Sequence, residues 1–258
     1  VLDLGCAAGT FDVRSCPAYV VRFDLEPTAP PGADFVQGNA AALPFADAAF
    51  DLVVSNHSLE HIDHLDAALA EVCRVLKPHA SIYAAVPDAS TVTDRLYRWL
   101  ARGGGHVNAF RSLDEFADTV QRGTGRRLQE ARLLCTSLSF LNRRNHPSRP
   151  PRKLWLLGGG SEAVLRRLTW IFRWSDRLFH SRASVYGWSC VFGVGEPSPS
   201  ASCAPPWTNV CVRCGAGHPS EDLVSRKLVR RGVTRWFACA FCGARNFYTD
   251  DRRYSDLR

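Results

Sequence analysis

The chain contains no methionine, not even at its first position. It lacks any run of about 18 apolar residues, the length a helix needs to cross a bilayer, and it has no N-terminal stretch that reads as a signal peptide. No transmembrane helix and no secretory leader are therefore predicted. The chain opens on Val1-Leu2-Asp3-Leu4-Gly5, already inside what reads as a buried strand, so a fragment or an upstream start is expected. Internal repeats are absent apart from two CxxC pairs. The glycine-containing loop after that first strand lacks the G-x-G-x-x-G spacing of dinucleotide sites, which argues against NAD.

What is present is an apolar fraction of 46% over 258 residues, enough for one large domain or a medium domain with an attachment. Charge is unevenly placed. Residues 1–100 hold 6 Lys/Arg against 13 Asp/Glu, a net of −7, whereas residues 101–258 carry a net of +14. Two readings of the basic half stay open: a surface facing an acidic partner such as nucleic acid, phosphate or a membrane, or simply solvated arginine-rich helices. Of the ten cysteines, Cys6, Cys16, Cys73, Cys135, Cys190 and Cys203 are scattered, while Cys211/Cys214 and Cys239/Cys242 form CxxC pairs. That mixture predicts a reducing, cytoplasmic setting with one metal site rather than a disulfide scaffold.

Strands are predicted at 1–5, 19–25, 50–55 and 80–86. Residues 65–76 place Leu65, Leu69, Val72, Val75 and Leu76 at helical spacing, and Lys77-Pro78 ends that helix. Further helices are expected at 91–101, 112–121 and 161–180, and a basic, proline-containing loop at 143–153. Strands alternating with helices imply a doubly wound α/β fold with a parallel sheet. The Pro/Ser/Ala-rich stretch 195–209 reads as a linker. The predicted organisation is thus a domain over 1–194 (core 1–120, acceptor and lid region 121–194), the linker, and a small module over 210–258.

In Val1–Thr10 a strand runs into a loop of small residues, which lets backbone approach a ligand, and the helix after it would offer free N–H groups. Asp24 closes the next strand, where a carboxylate can accept both ribose hydroxyls of a nucleoside. VLDLGCAAGTF, FDLEP, QGNAAALPFADAAFDLVVSNHSLEHI and LAEVCRVLKPHASIYAAVP follow in order over about residues 1–120. Together they resemble the class I S-adenosylmethionine-dependent methyltransferases, the broad subgroup acting on small molecules, with its Rossmann-like fold. The resemblance implies that the loop of Asp3, Gly5, Ala7 and Gly9 wraps the methionine part of the cofactor. It likewise implies that Asp24 holds the ribose, that Asn39 and Ala40 read adenine, and that Ser55 and Asn56 lie beside the methyl-donor end. Asn39 stands where the family often has Asp; its carbonyl can still accept the adenine amino proton. Two features depart from the family: the helix between the first two strands is short and meets Pro17, and the helices that usually precede the first strand are absent.

Methyl transfer from a sulfonium needs in-line approach and sometimes a base. Candidates cluster at His57, Glu60 and His61, which on a helix would share one face, with His106 further along. This is similar to metal-dependent O-methyltransferases that carry Glu-x-x-Glu-His plus a distal His. The resemblance implies a second, divalent metal site of His57, Glu60, His61 and His106; the extra nitrogen ligand shifts preference from magnesium toward zinc or another transition metal. A general base at His57 or His61, without metal, is the other reading.

Cys211-Val-Arg-Cys214-Gly and Cys239-Ala-Phe-Cys242-Gly look like the knuckles of a zinc ribbon with a closed, structural four-cysteine site, and the segment between them alternates like a hairpin strand. Arg226, Lys227, Arg230, Arg231 and Arg235 with Trp236 and Phe237 read either as a nucleic-acid grip or as a small core with a solvated basic face. In 161–180, Trp170 and Trp174 share a helical face. The segment is expected to pack as a lid over the acceptor pocket, burying both rings, with a membrane-surface helix as the alternative. The reading that follows is methyl transfer to a small-molecule hydroxyl acceptor. RNA or protein methylation recruited through the ribbon, and a non-catalytic cofactor- or partner-binding protein, are the alternatives.

Overall fold

The computed structural model describes residues 1–7, 9–27, 34–100, 106–142, 144, 160–195, 202–232 and 234–250. Strands β1 (Leu2–Leu4), β2 (Val21–Asp24), β3 (Asp34–Gln37) and β4 (Phe50–Asn56) precede helix α1 (Leu65–Val75) and the long strand β5 (Leu76–Pro87). Helices α2 (Val92–Leu100) and α3 (Leu113–Thr124), strand β6 (Arg127–Cys135), helix α4 (Glu162–Phe179) and strands β7 (Val185–Gly193) and β8 (Ser202–Trp207) follow. The C-terminal elements are β9 (Asn209–Val210), β10 (Gly217–His218), α5 (Ser220–Ser225), β11 (Trp236–Ala238) and β12 (Arg245–Phe247).

The first eight strands take the order β3-β2-β1-β4-β5-β7-β6-β8. The pairings β1–β2, β1–β4, β2–β3 and β4–β5 are parallel. The order runs one way from β1 and the other way from β4, so the connections leaving these neighbours diverge and open a crevice at their C-terminal ends. This is the predicted doubly wound α/β sheet, and the crevice is where its ligand sites belong.

The chain divides into two compact units. One comprises Val1–Ala89, Gly105–Ala131 and Trp188–Ala204; the other comprises Ser90–Gly104, Arg132–Gly187 and Pro205–Arg258. In the first, Leu2, Leu4, Phe23, Val53 and Ile82 of the strands and Leu69, Val72 and Val75 of α1 are buried. Gly123 lets α3 lie close to α1, since a β-carbon there would sit 2.5 Å from Leu69 Cβ. Ser112 caps α3 by accepting the Glu115 N–H at 3.1 Å, and Glu115 accepts the Arg111 N–H at 2.8 Å. Fully buried Phe116 stacks edge-on against Phe110 and Phe192, with ring centroids 5.0 and 5.8 Å away.

The second unit is organised differently. Leu138, Leu141, Leu165 and Val212 form its apolar cluster, flanked by Leu96, Phe140, Leu168 and Phe172. Beside them α4 buries charge. The Arg173 guanidinium donates to the carbonyls of Thr136, Ser184 and Thr208 at 3.0, 3.1 and 2.8 Å. Asp176 accepts the N–H groups of Ala183 and Ser184 at 2.7 and 3.0 Å, the Ser181 hydroxyl at 2.8 Å, and the Ser184 hydroxyl.

Several expectations need correction. The C-terminal module does not stand alone as a unit over 210–258; it shares one with residues 132–187. Part of the stretch read as a linker is β8, and residues 196–201 of it lie outside the described residues, as do 143 and 145–153 of the predicted basic loop. Pro205 and Pro206 are tolerated in β8 because it is the last strand of the sheet. Trp170 and Trp174 are not buried; they are 42% and 49% exposed. The helix expected after the first loop is a single 3-10 turn, Val13–Ser15. Truncating Phe116 to Ala should cost about 3–5 kcal/mol of unfolding free energy, measured by urea denaturation, because the rings of Phe110 and Phe192 would be left facing one cavity.

Candidate functional site

The loop leaving β1 turns through three left-handed residues, Gly5 (φ 67°), Ala7 (φ 42°) and Gly9 (φ 106°). A β-carbon on Gly5 would collide with the Ser58 side chain, and one on Gly9 would lie 2.7 Å from the Arg22 guanidinium. Both positions need glycine, for space as well as for φ. Two carboxylates tie the loop down: Asp24 Oδ2 accepts the Ala7 N–H at 2.7 Å, and Asp3 Oδ2 accepts the Thr10 N–H at 3.3 Å.

Asp3 is fully buried, and burial pushes its carboxyl up from the usual carboxylate range while Thr10 and Arg22 pull it back. Its other oxygen, Oδ1, has no hydrogen-bond partner among the described residues. A buried carboxylate oxygen left open is costly, so it marks a position that a donor or cation is built to meet. Arg22 is a residue the sequence reading passed over. It faces Asp3 in the β1–β2 register, brings Nε to 3.7 Å from Asp3 Oδ2 and donates to the Phe11 carbonyl at 2.9 Å. A charge in the middle of the apolar strand Val20–Phe23 was the signal that could have found it.

Asp24 ends β2 beside this loop and accepts a second N–H, from Glu26, at 3.0 Å. A carboxylate offers about four lone-pair sites, so acceptors remain for a diol. Asn39 accepts the Ala41 N–H at 2.9 Å and forms a turn with Ala40. Ser55 is buried, with its hydroxyl 2.5 Å from that of Ser58, which donates to the Leu4 carbonyl at 2.9 Å. Ser55 thus braces the β1 end, and half-buried Asn56 is the last residue of β4.

His57, Glu60 and His61 converge, but not on a helix. His57 is left-handed (φ 57°) and its N–H donates to the Ala85 carbonyl at 2.9 Å; a lone 3-10 turn, Leu59–His61, follows. Non-glycine residues held at such φ concentrate at functional sites. Buried Glu60 brings Oε1 to 3.6 Å from His57 Nδ1 and 4.0 Å from His61 Nε2, while its Oε2 has no partner among the described residues. The N–H groups of Val107 and Asn108 donate to the Glu60 carbonyl at 2.8 and 3.0 Å, and Asn108 Nδ2 bonds the carbonyls of Leu59 and Ile62. That clamp sets the His106 ring 4.8 Å from His61. One ligand atom each from Glu60, His61 and His106 lies within 4.8 Å of the others; His57 is outside this group.

In the second unit Cys211, Cys214, Cys239 and Cys242 gather with all Sγ atoms within 4.8 Å, and the pairs 211–242 and 214–239 are 3.5 and 3.6 Å apart. Tetrahedral thiolates at a zinc–sulfur distance of about 2.3 Å would be roughly 3.8 Å apart, so the cluster is close to the size of a zinc site. The two knuckles repeat one geometry: Gly215 and Gly243 (φ 75° and 71°) donate to the carbonyls of Cys211 and Cys239 at 3.0 and 2.9 Å. His218, absent from the sequence reading, brings Nε2 to 3.3 Å from Cys239 Sγ. The predicted hairpin exists as reciprocal Arg230–Trp236 backbone bonds. The ribbon's aromatic groups are largely used internally. Phe237 is fully buried, Arg245 covers Trp236 at 4.6 Å and Arg235 covers Tyr248 at 4.7 Å. Phe241, between the cysteines of the second knuckle, is the exception and is 77% exposed.

The methyltransferase domain family matches residues 2–84. The malonyl-[acyl-carrier protein] O-methyltransferase of Methylococcus capsulatus is 40% identical over 125 residues, which are 43% of this chain and 46% of that protein. A ubiquinone/menaquinone biosynthesis C-methyltransferase of Xanthomonas oryzae is 54% identical over 46 residues, 18% of each chain. The chain thus spans less than half the length of these curated relatives. Among solved structures, a putative sarcosine dimethylglycine methyltransferase from Galdieria sulphuraria superposes with a TM-score of 0.50 at 17% identity, over 74% of this chain and 77% of that one, a likeness of fold. With the β1–β4 switch point and its left-handed loop, these matches identify residues 2–84 as a methyltransferase domain of the class I S-adenosylmethionine-dependent type.

Proposed function

We propose that the chain transfers a methyl group from S-adenosylmethionine to the hydroxyl of a small-molecule acceptor. The observation that carries this is the crevice end of β1 and β2: an open, buried Asp3 oxygen, a loop closed to side chains at Gly5 and Gly9, and the Asp24 carboxylate beside it. These residues fit a cationic amino acid joined to a nucleoside. Asp3 would take up positive charge through the loop, the loop backbone would lie along the methionine part, Asp24 would accept the ribose hydroxyls, and Asn39 and Ala40 would border the adenine. The bound sulfonium supplies an activated methyl group.

What remains for the protein is to orient the acceptor and to take its proton. Glu60, His61 and His106 are the groups proposed for this. With a divalent ion, their two nitrogens and one carboxylate would hold the metal and fix the acceptor oxygen, and the donor set suits zinc or another transition metal better than magnesium. Without one, His61 would take the proton, and Glu60 would stabilise the resulting imidazolium. His57, outside the three-residue group, would hold Glu60 in place from the other side. The four cysteines of the second unit are proposed to bind one structural zinc ion, with His218 donating to Cys239 sulfur.

Asp24→Ala should weaken S-adenosylmethionine binding at least about tenfold in calorimetry, the loss of two charge-assisted hydrogen bonds; no binding of the unaltered chain at millimolar cofactor would sink the cofactor reading. Turnover should fall about 100-fold or more in Glu60→Ala and His61→Ala. Chelation by EDTA then separates the two chemistries: activity that survives EDTA rejects the metal and leaves His61 as base. Elemental analysis should find a zinc ion that Cys242→Ser loses and Glu60→Ala keeps; a metal-free chain with an unchanged melting curve would refute the structural site.

A further inference from the structure

An ordinary surface helix turns its apolar stripe inward and its charges outward. Helix α4 does not. Leu165, Leu168 and Phe172 meet the unit's apolar cluster, and the buried Arg173 and Asp176 face inward as well, fully engaged with backbone and serine groups. The residues left outside are Trp170, Ile171, Trp174 and Leu178, spaced along one face and 42%, 48%, 49% and 51% exposed, with Phe179 beyond them at 72%. Arg167 and Arg177 are also exposed on this helix. Both of its acidic residues are occupied: Glu162 pairs with Arg213, and burial hides Asp176. Trp170 leans on Phe247 at 6.2 Å between ring centroids, yet it keeps 42% of its surface exposed, and with Ile171, Trp174 and Leu178 it forms an apolar face flanked on this helix by Arg167 and Arg177.

We propose that this face docks on the surface of an anionic bilayer, with Trp170, Ile171, Trp174 and Leu178 entering the headgroup–acyl boundary and Arg167 and Arg177 meeting lipid phosphates. The chemistry selects this occupant. Tryptophan side chains favour the interfacial layer, and arginines flanking an apolar face can reach up to phosphates while their stems stay in hydrocarbon. The net charge of +14 over residues 101–258 attracts an anionic surface. A second copy of the chain would bring arginines against arginines across a two-fold axis. A nucleic acid would find two rings to stack on, but also Ile171 and Leu178, which offer it nothing. The inference stands apart from methyl transfer, because vesicle binding is read without cofactor or acceptor.

The full chain should co-sediment with vesicles of phosphatidylcholine and phosphatidylglycerol at 3:1, and not with phosphatidylcholine alone, with a blue shift of tryptophan emission. Trp170→Ser/Trp174→Ser should lower the partition coefficient about tenfold or more, since two interfacial anchors are lost. Arg167→Glu/Arg177→Glu should remove the preference for the anionic lipid. All four side chains are exposed, so far-UV dichroism and the melting temperature should stay as in the parent; if the tryptophan pair fails to fold, the arginine pair decides. Absence of co-sedimentation at low salt overturns the proposal, as does binding that both pairs leave unchanged. A dimer in light scattering that the tryptophan pair dissolves would assign the face to a second copy instead.

Discussion

Asp3 and Arg22 meet side by side on adjacent parallel strands, buried beneath the first loop, and most of the crevice hangs from that pair. Asp3 fixes the far end of the loop through Thr10, and Arg22 fixes its exit through the Phe11 carbonyl. The arginine also occupies the space that a side chain on Gly9 would need. Burying two charges is expensive, and a pair at 3.7 Å is not the closest contact that could offset the cost. Among the described residues the second oxygen of Asp3 has no hydrogen-bond partner, so the charge of the pair is only partly compensated there. The loop itself has little regular structure to lean on, only one 3-10 turn before β2, so backbone N–H groups reach carboxylates where an α-helix would have supplied a dipole.

The legible parts of the fold were those where burial and periodicity agree. β1, β2, β4 and β5 are short apolar runs ending in turn residues, and α1 has helical spacing with a Lys-Pro boundary that the chain uses to pass straight into β5. β3 escaped because it lies at the sheet's edge and is at most half-buried, so Asp34-Phe-Val-Gln carries no pattern strong enough to read. The histidine cluster was reached by a helical spacing that the chain does not adopt. The same side chains converge because His57 takes a left-handed turn and Asn108 ties residues 59 and 62 to the segment that carries His106.

Helix α4 shows where pattern fails in principle. Its limits could be read to within a residue, but not which side would be buried. Two candidate inner faces competed, one with tryptophans and one with Arg173 and Asp176. The choice was made by carbonyls at Thr136, Ser184 and Thr208 and by N–H groups at Ala183 and Ser184, some of them distant in sequence. Losing the charged partners of those buried groups would cost more than exposing two indoles. Much the same applies to the ribbon: Ser137 and Asn142 bond the carbonyls of Cys211 and Val212 at 2.9 and 3.0 Å, so what reads as a separate module is sewn into residues 132–187.

The last strand of the sheet has a consequence for association. An exposed edge normally presents a row of N–H groups to which another chain can add a strand. β8 places Pro205 and Pro206 in succession, two positions with no N–H to give on either side. Successive residues point their N–H groups to opposite edges, so one of the two prolines removes a donor from the free edge and the other from the edge facing the sheet. Growth of the sheet by addition of copies is therefore disfavoured at this end, and among the described residues the other open edge of the sheet is β3.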